Sequence, residues 1–191
     1  MLAKSRFHKP VEEKFAETIL AAALGGIAMV SPVAAVVGVF AVVGAGHYLF
    51  RQKDFNHEVR RLKRKGYVAL TKTENGWIVR ILNKGKARYR KIQMSNLQLA
   101  KSGEWDRKWR LFIFDIPEDM RHELDYLRRK LKQLDLYNIQ RSVFAYPFDC
   151  RKELSFVADY YNIEKYTTYA EVSYTDIDKE LKRHFTAKKI L

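Results

Sequence analysis

The sequence predicts an α+β protein, and three observations predict it. Apolar and aromatic runs of strand length alternate with segments of helical period through the second half of the chain. Asn75-Gly76 stands between two alternating apolar runs, which is the strongest short-range hairpin signal. Ahead of both lies an uncharged stretch of 33 residues, Thr18 to Phe50. The expected order is an apolar leader at 1–52, a basic segment at 53–103 and a mixed domain at 104–191.

Charge separates these parts more sharply than hydropathy does. The 191 residues carry a formal +14, which directs attention to an anionic partner, nucleic acid or an acidic membrane surface. Residues 1–50 hold four Lys/Arg against three acids, residues 51–103 fifteen against three, and residues 104–191 seventeen against sixteen. Nearly all the excess therefore lies in the middle third. Cys150 is the sole cysteine, so an intrachain disulfide is impossible and a reducing compartment is expected. The five histidines are scattered without metal-ligand spacing, which argues against a zinc centre.

The leader is long enough to span a bilayer, since a spanning helix needs about 20 apolar residues. Ser31-Pro32 sits near its middle, and proline there divides it into two helices, roughly 16–30 and 33–50. Gly25, Gly26, Gly38, Gly44 and Gly46 would let such helices approach closely in lipid. Positive charge flanks both ends, with Lys4, Arg6, Lys9 and Lys14 before and Arg51 and Lys53 after. The expectation is a transmembrane hairpin with both ends cytoplasmic. A soluble buried hairpin is the competing reading.

In the middle third, Phe55, Val59 and Leu62 mark the inner face of a short helix wrapped by Arg60, Arg61, Lys63, Arg64 and Lys65. Gly66 terminates it. Strands follow at 67–72 and 77–82, and then a second basic helix containing Lys84, Lys86, Arg88, Arg90 and Lys91. The order LKRKGYVALTKTENGWIVRILNKGKAR resembles the recognition helix, wing and following helix of winged helix-turn-helix repressors. Their LT-x-x-G-x-x-R close reads here Leu82-Asn83-Lys84-Gly85-Lys86-Ala87-Arg88, with Asn in place of Thr. With the leader taken as a membrane segment, the winged helix is expected to be partial. Cations on a helix and a wing favour phosphate contact whatever the base sequence; a basic face against anionic lipid is the alternative.

The last segment opens with WRLFIFDIP, residues 109–117, an apolar strand expected to be covered on both faces and ending at Asp115. A helix is expected at 118–134 with Leu124, Leu127, Leu131 and Leu134 inward, a strand at 139–146, a helix at 151–161, a strand at 166–174 and a closing helix at 176–185. This β-α-β-α-β-α order points to a ferredoxin-like α+β sandwich. FDIPEDMR, LRRKLKQL and IQRSVFAYPFDC resemble the central domain of PaaX-like repressors, itself similar to the CRISPR adaptation endonuclease of the Cas two type.

The resemblance implies two functions. In the endonucleases the aspartate matching Asp115 faces its twin across a homodimer and holds a divalent cation. Mg²⁺ held there would activate water against a phosphodiester, with Arg121 and Ser142 near phosphate. In the repressors the same fold is a dimerisation platform and no cofactor is required. Tyr146-Pro147-Phe148-Asp149 leans toward the repressor branch. The sequence thus predicts a membrane-tethered, cytoplasm-facing regulator that binds nucleic acid, duplex DNA ahead of RNA, as a homodimer. Its phosphate contacts fall to Arg60, Arg61, Lys63, Arg64, Lys65, Lys84, Lys86 and Arg88. The alternative is a Mg²⁺-dependent nuclease acting at Asp115.

Overall fold

A computed structural model describes residues 29–30, 52–73, 76–100 and 104–191. The chain divides between Ser95 and Asn96 into two compact units.

In the first unit, helix α1 (Gln52–Arg64) buries Val59 and Leu62 and exposes Arg60, Lys63 and Arg64. It stops because Gly66 adopts φ +69°. Gly66 N–H then donates to Lys63 O at 2.9 Å and Tyr67 N–H to Leu62 O at 3.0 Å. This left-handed closure suits a residue without Cβ. Strands β2 (Val68–Thr73) and β3 (Gly76–Ile81) form the expected hairpin, in register from Val68↔Ile81 to Thr73↔Gly76. Val68, Val79 and Ile81 point into the core. Helix α2 (Asn83–Asn96) follows and buries Gly85, Ile92 and Met94.

The free side of β3 is taken by β1 (Met29–Val30), antiparallel with Met29↔Ile78 and Val30↔Trp77, so the sheet order is β1-β3-β2. The expected leader helix was to run through residue 30; at these two positions the chain is extended instead. Lack of charge signalled lipid, but an edge strand also offers unpaired main-chain groups that can recruit such a segment. The rest of the anticipated hairpin lies outside the described residues. Among the described residues, no helix is long and apolar enough to cross a membrane.

The second unit carries a four-stranded antiparallel sheet. Strand β4 (Trp109–Phe114) leads through a 3₁₀ turn (Glu118–Met120) into α3 (Arg121–Gln133), then β5 (Tyr137–Gln140), β6 (Val143–Tyr146), α4 (Arg151–Tyr161), a 3₁₀ turn (Glu164–Tyr166), β7 (Thr167–Val172) and α5 (Asp178–Ala187). The strand order is β5-β6-β4-β7. The expected single strand at 139–146 is therefore two. Gln140, Arg141 and Ser142 interrupt its apolar pattern, and Arg141-Ser142 form the turn of a hairpin. A bulge at Ile139 shifts the β5–β6 register between Asn138 and Gln140. Arg128 holds the turn, its Nε and one terminal nitrogen donating to Arg141 O at 3.3 and 3.2 Å.

Phe112, Phe114 and Phe144 fill one face of the sheet with Leu127 and Leu131 of α3 and Leu154, Val157 and Ala158 of α4. Of the other face, Trp109 is covered: its ring stacks on Phe185 of α5 at 5.7 Å and its Nε1–H donates to Asp178 at 3.0 Å. Leu111, Ile113, Val143 and Ala170 on that face are only half-buried. The expectation that β4 is covered on both faces thus holds at its Trp109 end and only in part beyond it, where Ala145 opposite Leu111 is fully buried but Leu111 and Ile113 are not. The helix expected from 118 begins as a 3₁₀ turn, because Pro117 (φ −58°) leaves its carbonyl to Met120 N–H at 3.0 Å.

Candidate nucleic-acid interface

The basic residues singled out in the middle third sit on two helices, with Lys65 just past the end of the first. Arg60, Lys63 and Arg64 are at i, i+3 and i+4 on α1 and share an exposed face. Lys65 is exposed just after them. Arg61 is half-buried and differs in role: its guanidinium holds Glu58 at 2.6 Å. Glu58 is only 4% exposed, so this pair belongs to the helix's inner side and Arg61 serves the fold first. Arg60, Lys63, Arg64 and Lys65 form no ion pair with any described residue, which leaves their charge available to a polyanion.

Tyr67 links this helix to the next. It follows the glycine that ends α1, and its carbonyl accepts Leu82 N–H at 2.9 Å, tying the entrance of α2 to the exit of α1. Lys84 Nζ lies 5.6 Å from the Tyr67 ring centroid, within cation–π range. Lys86 is exposed nearby in sequence, whereas Arg88 is half-buried. Gly85 makes the approach possible, since a Cβ there would stand 2.1 Å from Tyr67 O. The glycine of the repressor-like close therefore has a packing cause that its spacing alone did not reveal.

One exposed cation was missed. Arg80 lies on β3 opposite Ala69, between buried Val79 and Ile81. A basic residue alternating with apolar ones in a strand was the signal, and it marks the outward face of the hairpin.

Asp115 belongs to the second unit. It is exposed, and its main-chain N–H donates to Tyr166 O at 2.9 Å, while Phe114 N–H donates to Ser142 O at 3.0 Å. The ends of β4, β6 and β7 thus meet around it. Arg121 is exposed at the start of α3. Among the described residues no group of three or more His, Cys, Asp or Glu is gathered for a metal ion. Within one chain Asp115 is a single carboxylate, and hard divalent cations take several oxygen ligands.

The lone cysteine, Cys150, is 1% exposed. Burial pushes its thiol up to about 12, against a smaller opposing effect of the Tyr169 hydroxyl. It is a core side chain with no nucleophile at neutral pH.

Residues 102–183 match the family described as the PaaX protein central Cas2-like domain. No curated protein and no solved structure gives a significant match to the chain.

Proposed function

Since residues 102–183 form a PaaX-type central Cas2-like domain, we propose that the protein is a PaaX-like transcriptional regulator. It binds duplex DNA through its basic first unit and pairs with a second copy through its C-terminal domain. The observation that carries this reading is the exposed set Arg60, Lys63 and Arg64 on α1 with Lys65 just after it, without an ion pair to a described residue, together with exposed Lys84 and Lys86 on α2, Lys84 reaching the Tyr67 ring. Lysine and arginine presented on one helix face neutralise phosphates and release counterions.

Two features of architecture support it. A helix leading into a hairpin whose outer strand is joined by a third, in order β1-β3-β2, is what a winged helix has. Strand order β5-β6-β4-β7, with α3 and α4 as connections, agrees with a ferredoxin-like β-α-β-β-α-β domain. The half-buried Leu111, Ile113, Val143 and Ala170 offer a second copy an apolar surface. Pairing would set two weak basic units on one duplex, where avidity raises affinity.

The test is duplex affinity as a function of salt, with sedimentation to establish the oligomer. A steep salt dependence and a dimer are expected; a flat response would remove the basic face from the account. The competing nuclease reading, with Mg²⁺ at Asp115, requires metal-dependent cleavage that Asp115→Ala abolishes. Under the regulator reading, Asp115→Ala binds duplex like the wild type and no cleavage accompanies binding.

Membrane attachment is a separate proposal. Met29–Val30 paired with β3 would sit on the same side of the bilayer as the basic unit. That conflicts with a spanning hairpin that turns at Ser31-Pro32, whose turn would emerge on the far side. Carbonate extraction of the full chain decides the matter: retention in the pellet supports a lipid anchor in the uncharged stretch, and release refutes it.

A further inference from the structure

Between α4 and β7 the second unit opens a cavity of ≈ 240 Å³. Phe112, Leu154 and Ala158 contribute to its lining and are 3%, 1% and 2% exposed, so its floor is apolar. Arg151, Glu164 and Tyr169 line the same space. Arg151, first residue of α4, lays its guanidinium 4.4 Å from the centroid of the Tyr169 ring. That ring is itself fixed. Tyr169 O–H donates to Asp149 at 3.0 Å and its oxygen accepts Cys150 N–H at 3.3 Å.

Asp149, two positions before Arg151, feels its charge without forming an ion pair with it, since the carboxylate oxygen that takes the tyrosine hydroxyl also accepts Arg151's own main-chain N–H at 3.1 Å. The Arg151 side chain is left stacked on Tyr169 with no ion pair to a described residue. The Glu164 carboxylate also has no hydrogen bond or ion pair among the described residues; only its main-chain oxygen is used, by the Thr167 hydroxyl at 3.0 Å. A cation and an anion therefore line one cavity without neutralising each other, over an apolar floor.

We propose that this cavity binds a free α-amino acid with an apolar side chain. Its carboxylate pairs with Arg151, its ammonium with Glu164, and its side chain covers Phe112, Leu154 and Ala158. A guanidinium matches a carboxylate in plane and charge. A simple monocarboxylic acid would leave Glu164 unmatched and a simple amine would leave Arg151 so, whereas a zwitterion satisfies both. The volume lies below the roughly 300–1,000 Å³ of pockets for drug-sized ligands, in keeping with a molecule of amino-acid size. This site is independent of the basic face of the first unit.

Isothermal titration calorimetry of the full chain with each proteinogenic amino acid, and with 4-methylpentanoate and isoamylamine as half-ligands, tests the proposal. At least one apolar amino acid, L-leucine being the first choice, is expected to bind, with each half-ligand weaker by roughly tenfold or more. Arg151→Met and Glu164→Gln should each lower that affinity by a similar factor while leaving the ligand-free melting temperature unchanged. Both residues are exposed, so the variants should fold. Absence of binding by every amino acid overturns the proposal. So does equal binding of leucine and 4-methylpentanoate, or undiminished binding by both variants.

Discussion

Gly85 lies directly against the main-chain carbonyl of Tyr67: a Cβ at Gly85 would stand 2.1 Å from that oxygen and 2.8 Å from Ile81 Cγ1. The carbonyl cannot retreat freely, because it accepts Leu82 N–H at 2.9 Å where the hairpin meets α2. Glycine inside a helix ordinarily costs about 1 kcal/mol relative to alanine, so its presence here needs this contact as a reason. Gly85→Ala should reverse the usual sign and destabilise the first unit by about 2–3 kcal/mol, in the range of overpacked cores. Hydrogen exchange should quicken across β2 and α2 and stay unchanged in β4. A variant more stable than the parent would show that the contact relaxes without cost.

Arg60, Lys63 and Arg64 make a separable prediction, because they are exposed while Arg61 is engaged with Glu58. Replacing the three by alanine should reduce the slope of log K against log salt by about 2.7, at about 0.9 per phosphate contact on duplex DNA. The loss should be similar for unrelated duplex sequences, since phosphate contacts carry no base information. Arg61→Ala should instead register mainly as lost stability, with Glu58 left buried and unpaired. An unchanged slope in the triple variant would mean that these cations do not meet the backbone.

The elements easiest to foresee were those whose signal is local. Alternation and Asn75-Gly76 revealed the β2–β3 hairpin, and the leucine spacing revealed α3. What escaped the sequence depends on partners distant along the chain. The strand pairing of Met29–Val30 needs the free edge of β3, and nothing within the uncharged stretch announces that edge. The split at Arg141-Ser142 is marked only by the polar run Gln140 to Ser142, which carries no glycine, proline, asparagine or aspartate to signal a two-residue turn. The ends of α3 and α4 fall within a residue of the expected 134 and 161, and Asn162 closes α4 at φ +55° as asparagine readily does, whereas α5 runs two residues past the expected 185. The basic face was legible as charge, but only the geometry separates Arg61, which pairs internally, from Arg60, Lys63 and Arg64. The cavity at Arg151 and Glu164 had no linear signature, since thirteen positions separate the two residues.

Asp106 and Arg110 should give the second unit a characteristic acid response. The Arg110 guanidinium, 8% exposed, is held by Asp106 through two bonds of 2.5 and 2.6 Å, and its terminal nitrogen also donates to Lys108 O and Pro147 O at 2.8 and 3.0 Å, while its Nε is buried without a partner among the described residues. The hydrogen bonds from Arg110 hold the Asp106 carboxyl at about 2, below its ordinary 3.8. A depressed folded-state value means a contribution fully present above pH 3.8 and lost as pH falls toward 2. Melting followed by the fluorescence of Trp105 and Trp109 should therefore drop over this window. Asp106→Asn should flatten its share of the slope and cost about 1–3 kcal/mol at neutral pH by leaving Arg110 without its charged partner. Parallel pH profiles for variant and parent would assign the acid response to other carboxylates.

Cys150 provides a probe of the same core. Its thiol is 1% exposed and burial raises it to about 12, so at pH 8 only about one molecule in ten thousand carries the reactive thiolate. An unfolded chain, with a thiol near 8.5, would carry roughly a quarter. Alkylation by iodoacetamide at pH 8 should accordingly be slower in the native chain by about a thousandfold or more. It should proceed mainly through opening of the unit, and so accelerate with urea in step with the loss of β4–β6 protection. Native labelling at the rate of a free thiol, with no dependence on urea, would place Cys150 at an accessible surface and contradict the packing around Tyr146 and Tyr169.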